Sequence, residues 1–123
     1  MPRSNRKLRK TKEQADGGDC FIAAAHLLIE SDLFDSDAVL AHGVVVGTGG
    51  AVLGMRFVHA WVEWRGMAFD CSNGGQVMAP LEMYYGAGSI DAAKVQRYSR
   101  HDTMLRLLKA QNYGPWHDFG VYL

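Results

Sequence analysis

The stretch FVHAWVEWRGMAFD, residues 57–70, constrains this chain more than any other part of it. Residues 57–64 alternate and are rich in aromatic and β-branched side chains, which predicts a half-buried strand. Arg65-Gly66 then fits a two-residue hairpin turn, and residues 67–71 (MAFDC) continue as a second strand. A two-residue turn dictates the pairing: Trp64 faces Met67, Glu63 faces Ala68, Val62 faces Phe69 and Trp61 faces Asp70. One face of the ribbon therefore carries Val58, Ala60, Val62, Trp64, Met67, Phe69 and Cys71. The other carries His59, Trp61, Glu63, Ala68, Asp70 and Ser72. An apolar face of that width has to be covered by another layer, and a one-residue slip would turn every side chain to the wrong side.

The rest of the chain supplies the cover. Asp19 is a suitable N-cap, and residues 21–30 (FIAAAHLLIE) read as a helix whose alanines permit close packing. Residues 31–37 form a polar connection. Residues 38–46 (AVLAHGVVV) read as a strand entering the GTGG turn, with residues 51–55 expected as its partner. Beyond the 72–75 loop, residues 80–85 are expected to form a short helix with Pro at its first position, stopped by Gly86. Residues 94–99 suggest one more strand, and residues 101–111 a helix. The aromatic C-terminal segment GPWHDFGVYL is expected to pack back on the body. The order predicts an α+β fold. In it an N-terminal helix bearing Cys20 packs on a small antiparallel sheet, with C-terminal helical closure.

With 123 residues the chain has room for one domain, and 48% hydrophobic content excludes wholesale disorder. No run of apolar residues is long enough for a membrane span. The 13 basic and 13 acidic residues cancel, but they are segregated. Arg3, Arg6, Lys7, Arg9, Lys10 and Lys12 fall in the first twelve residues with no acid among them, and residues 13–123 then hold 7 basic and 13 acidic groups. Residues 1–13 are therefore expected to be a flexible basic tail, able to attract nucleic acid or an acidic partner. Residues 14–123 form the single domain. No apolar stretch follows the tail directly, so no secretory leader is expected. Cys20 and Cys71 make no disulfide framework, and the expected location is cytoplasmic.

Chemistry enters with three residues. Cys20 stands at a helix start, where the positive end of the helix dipole favours a thiolate. His59 and Asp70 share one face of the hairpin as diagonal neighbours, close enough for a carboxylate to fix the tautomer and stabilise the protonated ring. Singly, each has an ordinary structural place: a small buried residue opening a helix, a core histidine, a strand-end acid. Together they describe a nucleophile, a base and the acid that orients it. Trp61 lies on the same face, where it would shield the pair or line a substrate site. Cys20, His59, Asp70 and Cys71 are also zinc-type ligands. However, the parity sends Cys71 to the opposite face and no CxxC or HxxxH spacing occurs, so no metal or cofactor is expected.

A helix-start cysteine, a histidine on one strand and an aspartate on the next resemble the papain-like and transglutaminase-like thiol hydrolases. HAWVEWRGMAFD (59–70) resembles the His-to-Asp hairpin of the transglutaminase-like branch, including its lasso-peptide leader peptidases. QADGGDCF (14–21) is similar to the glutamine-to-cysteine segment of papain-like proteases. The resemblance implies Cys20 as nucleophile, His59 as base, Asp70 as orienting acid and Gln14 as an oxyanion-hole donor. Asn73 is an alternative third member, because the papain branch uses asparagine, or a substrate contact. The implied function is cleavage of an amide, peptide or isopeptide bond in a protein or peptide substrate through an acyl-enzyme. Transferase and deamidase chemistry use the same parts. The competing reading is an inactive relative that binds a protein or nucleic-acid partner.

Overall fold

In the computed structural model, residues 19–71 and 76–121 are described; Gln14, Asn73 and the basic tail lie outside them. Helix α1 (Cys20–Glu30) buries Cys20, Phe21, Ala24, Ala25 and Leu28, a stripe at helical spacing. The two alanines let this helix lie close to the sheet. Asp19 is the N-cap residue, but its side chain makes no cap hydrogen bond, contrary to expectation. The connection that follows is pinned rather than merely polar. Phe34 is buried edge-on to Trp64 and Phe69, and Asp35 accepts hydrogen bonds from the Trp64 indole and the Arg65 guanidinium, each at 2.9 Å.

Strands β1 (Val39–Val46), β2 (Arg56–Trp64), β3 (Met67–Asp70), β4 (Val77–Pro80) and β5 (Gln96–Ser99) form one sheet in the order β4-β3-β2-β1-β5, with every neighbouring pair antiparallel. The hairpin has the expected register, Val62 opposite Phe69, Glu63 opposite Ala68 and Trp64 opposite Met67. Arg65 and Gly66 both take positive φ, +50° and +78°, as a tight turn matched to strand twist requires. Residues 51–55 do not pair with β1 as expected. A 3₁₀ turn (Gly50–Val52) occupies the start of that segment, and Gly47 closes the loop by donating to the Met55 carbonyl and accepting from Gly54 N–H. Positive φ at Gly50 and Gly54 keeps the segment from extending, which leaves β1 to pair with β2 and β5.

Strand β4 was not foreseen. It is an edge strand, where Pro80 costs no ladder bond. Pro80 precedes helix α2 (Leu81–Gly88) instead of opening it, and Gly86 lies inside the helix, which stops at Ser89 in the left-handed conformation. A 3₁₀ turn (Ala92–Lys94) leads to β5, and helix α3 (Arg100–Ala110) starts with Ser99 Oγ accepting from Asp102 N–H at 3.0 Å.

Both faces of the sheet are covered. On one, Leu40, Val58, Ala60 and Val62 meet Cys20, Phe21, Ala24 and Leu28 of α1, with Tyr113, Trp116 and Phe119 of the C-terminal segment packed against them. On the other, Ala41, Val45, Trp61, Ala68 and Val95 meet Leu81, Tyr84 and Tyr85 of α2. This is the expected α+β architecture, with the cysteine in the N-terminal helix and a C-terminal helix closing the chain. Among the described residues, no helix is long and apolar enough to cross a membrane.

Candidate active site

The site begins with the hairpin parity. His59 in β2 and Asp70 at the end of β3 project from one face, and His59 Nε2 lies 2.8 Å from Asp70 Oδ2. Both side chains are nearly enclosed, 11% and 14% exposed, so their interaction is little screened by water. The third member arrives from α1. Cys20 of α1 acts on the His59 ring in the direction that favours its protonated form. With Nε2 committed to the carboxylate, Nδ1 is the ring nitrogen that Asp70 does not engage. The thiol itself is buried, 3% exposed.

The electrostatics of the ring follow from this arrangement. Burial alone would drive His59 towards its neutral form. The hydrogen bonds to Asp70 and Cys20, and the negative charge of both, outweigh burial and raise its pKa to about 9. The protonated ring is thereby favoured. The ring is braced by Trp61, stacked at 6.2 Å between centroids, and by the edge of Phe57 at 5.8 Å. Trp61 is completely buried, so it backs the histidine and offers no surface to a ligand. Gly43, opposite His59 in the β1–β2 ladder, makes room for it: a Cβ there would stand 3.0 Å from the Trp61 ring.

Several further side chains take part. Tyr84 donates its hydroxyl to Asp70 Oδ2 at 2.5 Å. Beside it, Glu63 accepts from the Trp61 indole at 2.9 Å, from Arg97 Nε at 2.8 Å and from the Tyr85 hydroxyl. The only sequence signal for either tyrosine is adjacency in PLEMYY, which places them on one short helix without showing which carboxylates they meet.

Cys71 Sγ faces α1, 3.8 Å from the Ala23 carbonyl, and burial followed by the nearby Asp70 charge pushes its thiol up. His26 bonds Glu30 and Tyr113 on the surface. His42 is fully buried among Phe21, Tyr98 and Trp116, and burial, then the charge of His59, lowers it to about 3. Among the described residues, no group of three or more His, Cys, Asp or Glu side chains is placed to hold a metal ion. A cavity of about 420 Å³ adjoins Asp70, walled by Leu27, Phe69, Cys71, Gln76, Val77 and Met78. The arrangement supplies a thiol, a charged ring beside it and an anion holding that ring, the parts of nucleophilic acyl transfer. Comparison of the chain with protein-family models, curated proteins and solved structures finds no match.

Proposed function

We propose that this protein is a thiol hydrolase that cleaves an amide or peptide bond through an acyl-enzyme on Cys20. The observation that carries the reading is the enclosed His59–Asp70 hydrogen bond at 2.8 Å, with Cys20 of α1 acting on the same ring. The thiolate is the nucleophilic form of the sulfur, and His59 is the group assigned to take and return its proton.

In the first step the Cys20 sulfur forms a C–S bond to the carbonyl carbon, and the C=O π pair moves onto oxygen. Backbone N–H groups of the first turn of α1, which the Asp19 side chain does not cap, serve as donors to that oxyanion. One such donor is worth about 2.7–4 kcal/mol in comparable sites. As the pair returns to carbon the C–N bond breaks, and the leaving nitrogen takes the proton of His59. Water then adds to the thioester while His59 accepts its proton. The C–S bond breaks, the acid product leaves, and the thiolate–imidazolium pair is restored. Asp70 keeps the ring oriented throughout and stabilises its charged form. Free thiols at Cys20 and Cys71 suit a reducing, cytoplasm-like compartment. A protein or peptide is the substrate class, and the basic residues of the first twelve positions give it or a nucleic acid an electrostatic handle.

The test is the rate of alkylation of each cysteine by iodoacetamide, read by peptide mass spectrometry from pH 5 to 10. Cys71, whose thiol is pushed up, is the internal reference. At pH 7, Cys20 is expected to react at least roughly tenfold faster than Cys71, with most of that advantage lost in His59→Ala. A Cys20 no faster than Cys71, or indifferent to His59, would leave a binding module instead of an enzyme.

A further inference from the structure

The Tyr84 hydroxyl and His59 Nε2 meet the same oxygen, Asp70 Oδ2, at 2.5 and 2.8 Å. We propose that Tyr84 is a positioning residue of this site: by sharing Asp70 Oδ2 with His59, it holds the carboxylate in place and limits how tightly the ring keeps its proton. The inference rests on the thiol-hydrolase reading above and names a further residue for it.

Three observations support it. The tyrosine comes from α2, on the face of the sheet opposite α1, so its ring is held independently of Cys20. That ring packs against Trp61 at 5.4 Å, and Trp61 in turn stacks on His59. The hydroxyl also keeps its proton: burial first, then the charge and hydrogen bond of Asp70, push it far above the ordinary tyrosine range. It is therefore a donor at every working pH and adds no charge of its own.

A carboxylate oxygen that accepts a second hydrogen bond has less electron density for the first. Without Tyr84, Asp70 would pull harder on the imidazolium, and a histidine that releases its proton reluctantly is a poorer acid for the leaving nitrogen. Other groups acting on this cluster include Cys20 from α1, His42 from β1, Glu63 from β2 and Cys71 just beyond β3, and removing one hydroxyl changes none of their charges.

The test is the NMR titration of the His59 ring in the otherwise unaltered protein. Tyr84→Phe keeps the aromatic packing, and the midpoint is expected to rise by roughly one pH unit. Replacing Tyr84 with 3-fluorotyrosine, a stronger donor, is expected to lower it, which serves even if the phenylalanine variant does not fold. Tyr85→Phe, whose hydroxyl meets Glu63, is the control and is expected to leave the midpoint alone. A midpoint that stays or falls in Tyr84→Phe, that fails to fall with 3-fluorotyrosine, or that moves as much in Tyr85→Phe overturns the assignment. Failure of Cys20 to show His59-dependent alkylation would sink the enzyme while leaving this titration readable, so the two failures are distinguishable.

Discussion

His59 and His42 are both enclosed in the core, yet their surroundings drive them in opposite directions. His59 has an anionic partner, so its pKa rises to about 9. A group raised on folding stabilises the protein fully below its unfolded value near 6.5, and that contribution, on the order of 3 kcal/mol, is lost as pH climbs through 9. Urea unfolding of the wild type should therefore weaken between pH 6.5 and 9.5. His59→Gln, weaker at pH 6, should show a flatter curve over the same range. His42 has the reverse sign. It has no hydrogen-bond partner for either ring nitrogen among the described residues and is lowered to about 3, so its titration costs nothing above 6.5 and costs stability as pH falls towards 3. His42→Leu removes two buried unpartnered nitrogens at similar volume. It should raise the urea midpoint at pH 4 more than at pH 7, where the gain is about 1 kcal/mol.

The elements that could be read from residues alone are those whose signal is local. Alternation in β2 and a turn that needs positive φ together set the hairpin register, and with it the His59–Asp70 pairing. Gly66 carries much of this. At φ +78° nothing lies within 4 Å of where a Cβ would be, so the cost of Gly66→Ala is purely conformational, about 1 kcal/mol in urea unfolding. Elements that depend on distant partners were not readable. Strand β4 has an exposed, unpatterned sequence and exists because its backbone completes β3. Residues 51–55 look extended, but two glycines at positive φ turn them back on Gly47. Tyr84 and Tyr85 acquire their carboxylate partners only once α2 lies across the sheet. Gly43 is in the same position, since nothing nearby in sequence marks the space that the Trp61 ring occupies. Gly43→Ala should displace that ring and disturb His59 behind it, seen as broadened or shifted His59 ring resonances in a variant that still folds.

Across the whole molecule, the sheet is covered on both faces, and the candidate site is the place to which both layers contribute. Cys20 comes from the helix on one face, Tyr84 from the helix on the other, and the His59–Asp70 pair between them is coupled to both. The pairing of histidine and aspartate was legible as a pattern of residue types and strand parity. The enclosure of the ring and the second donor to Asp70 were not, because they belong to the packing of layers. The central claim is that Cys20 and His59 are one electrostatic unit, and the NMR titration of His59 in wild type against Cys20→Ala tests it directly. The account predicts a wild-type midpoint near 9 that falls clearly when the sulfur is removed. A midpoint near the ordinary histidine value in the wild type, or one that Cys20→Ala leaves unchanged, would contradict it.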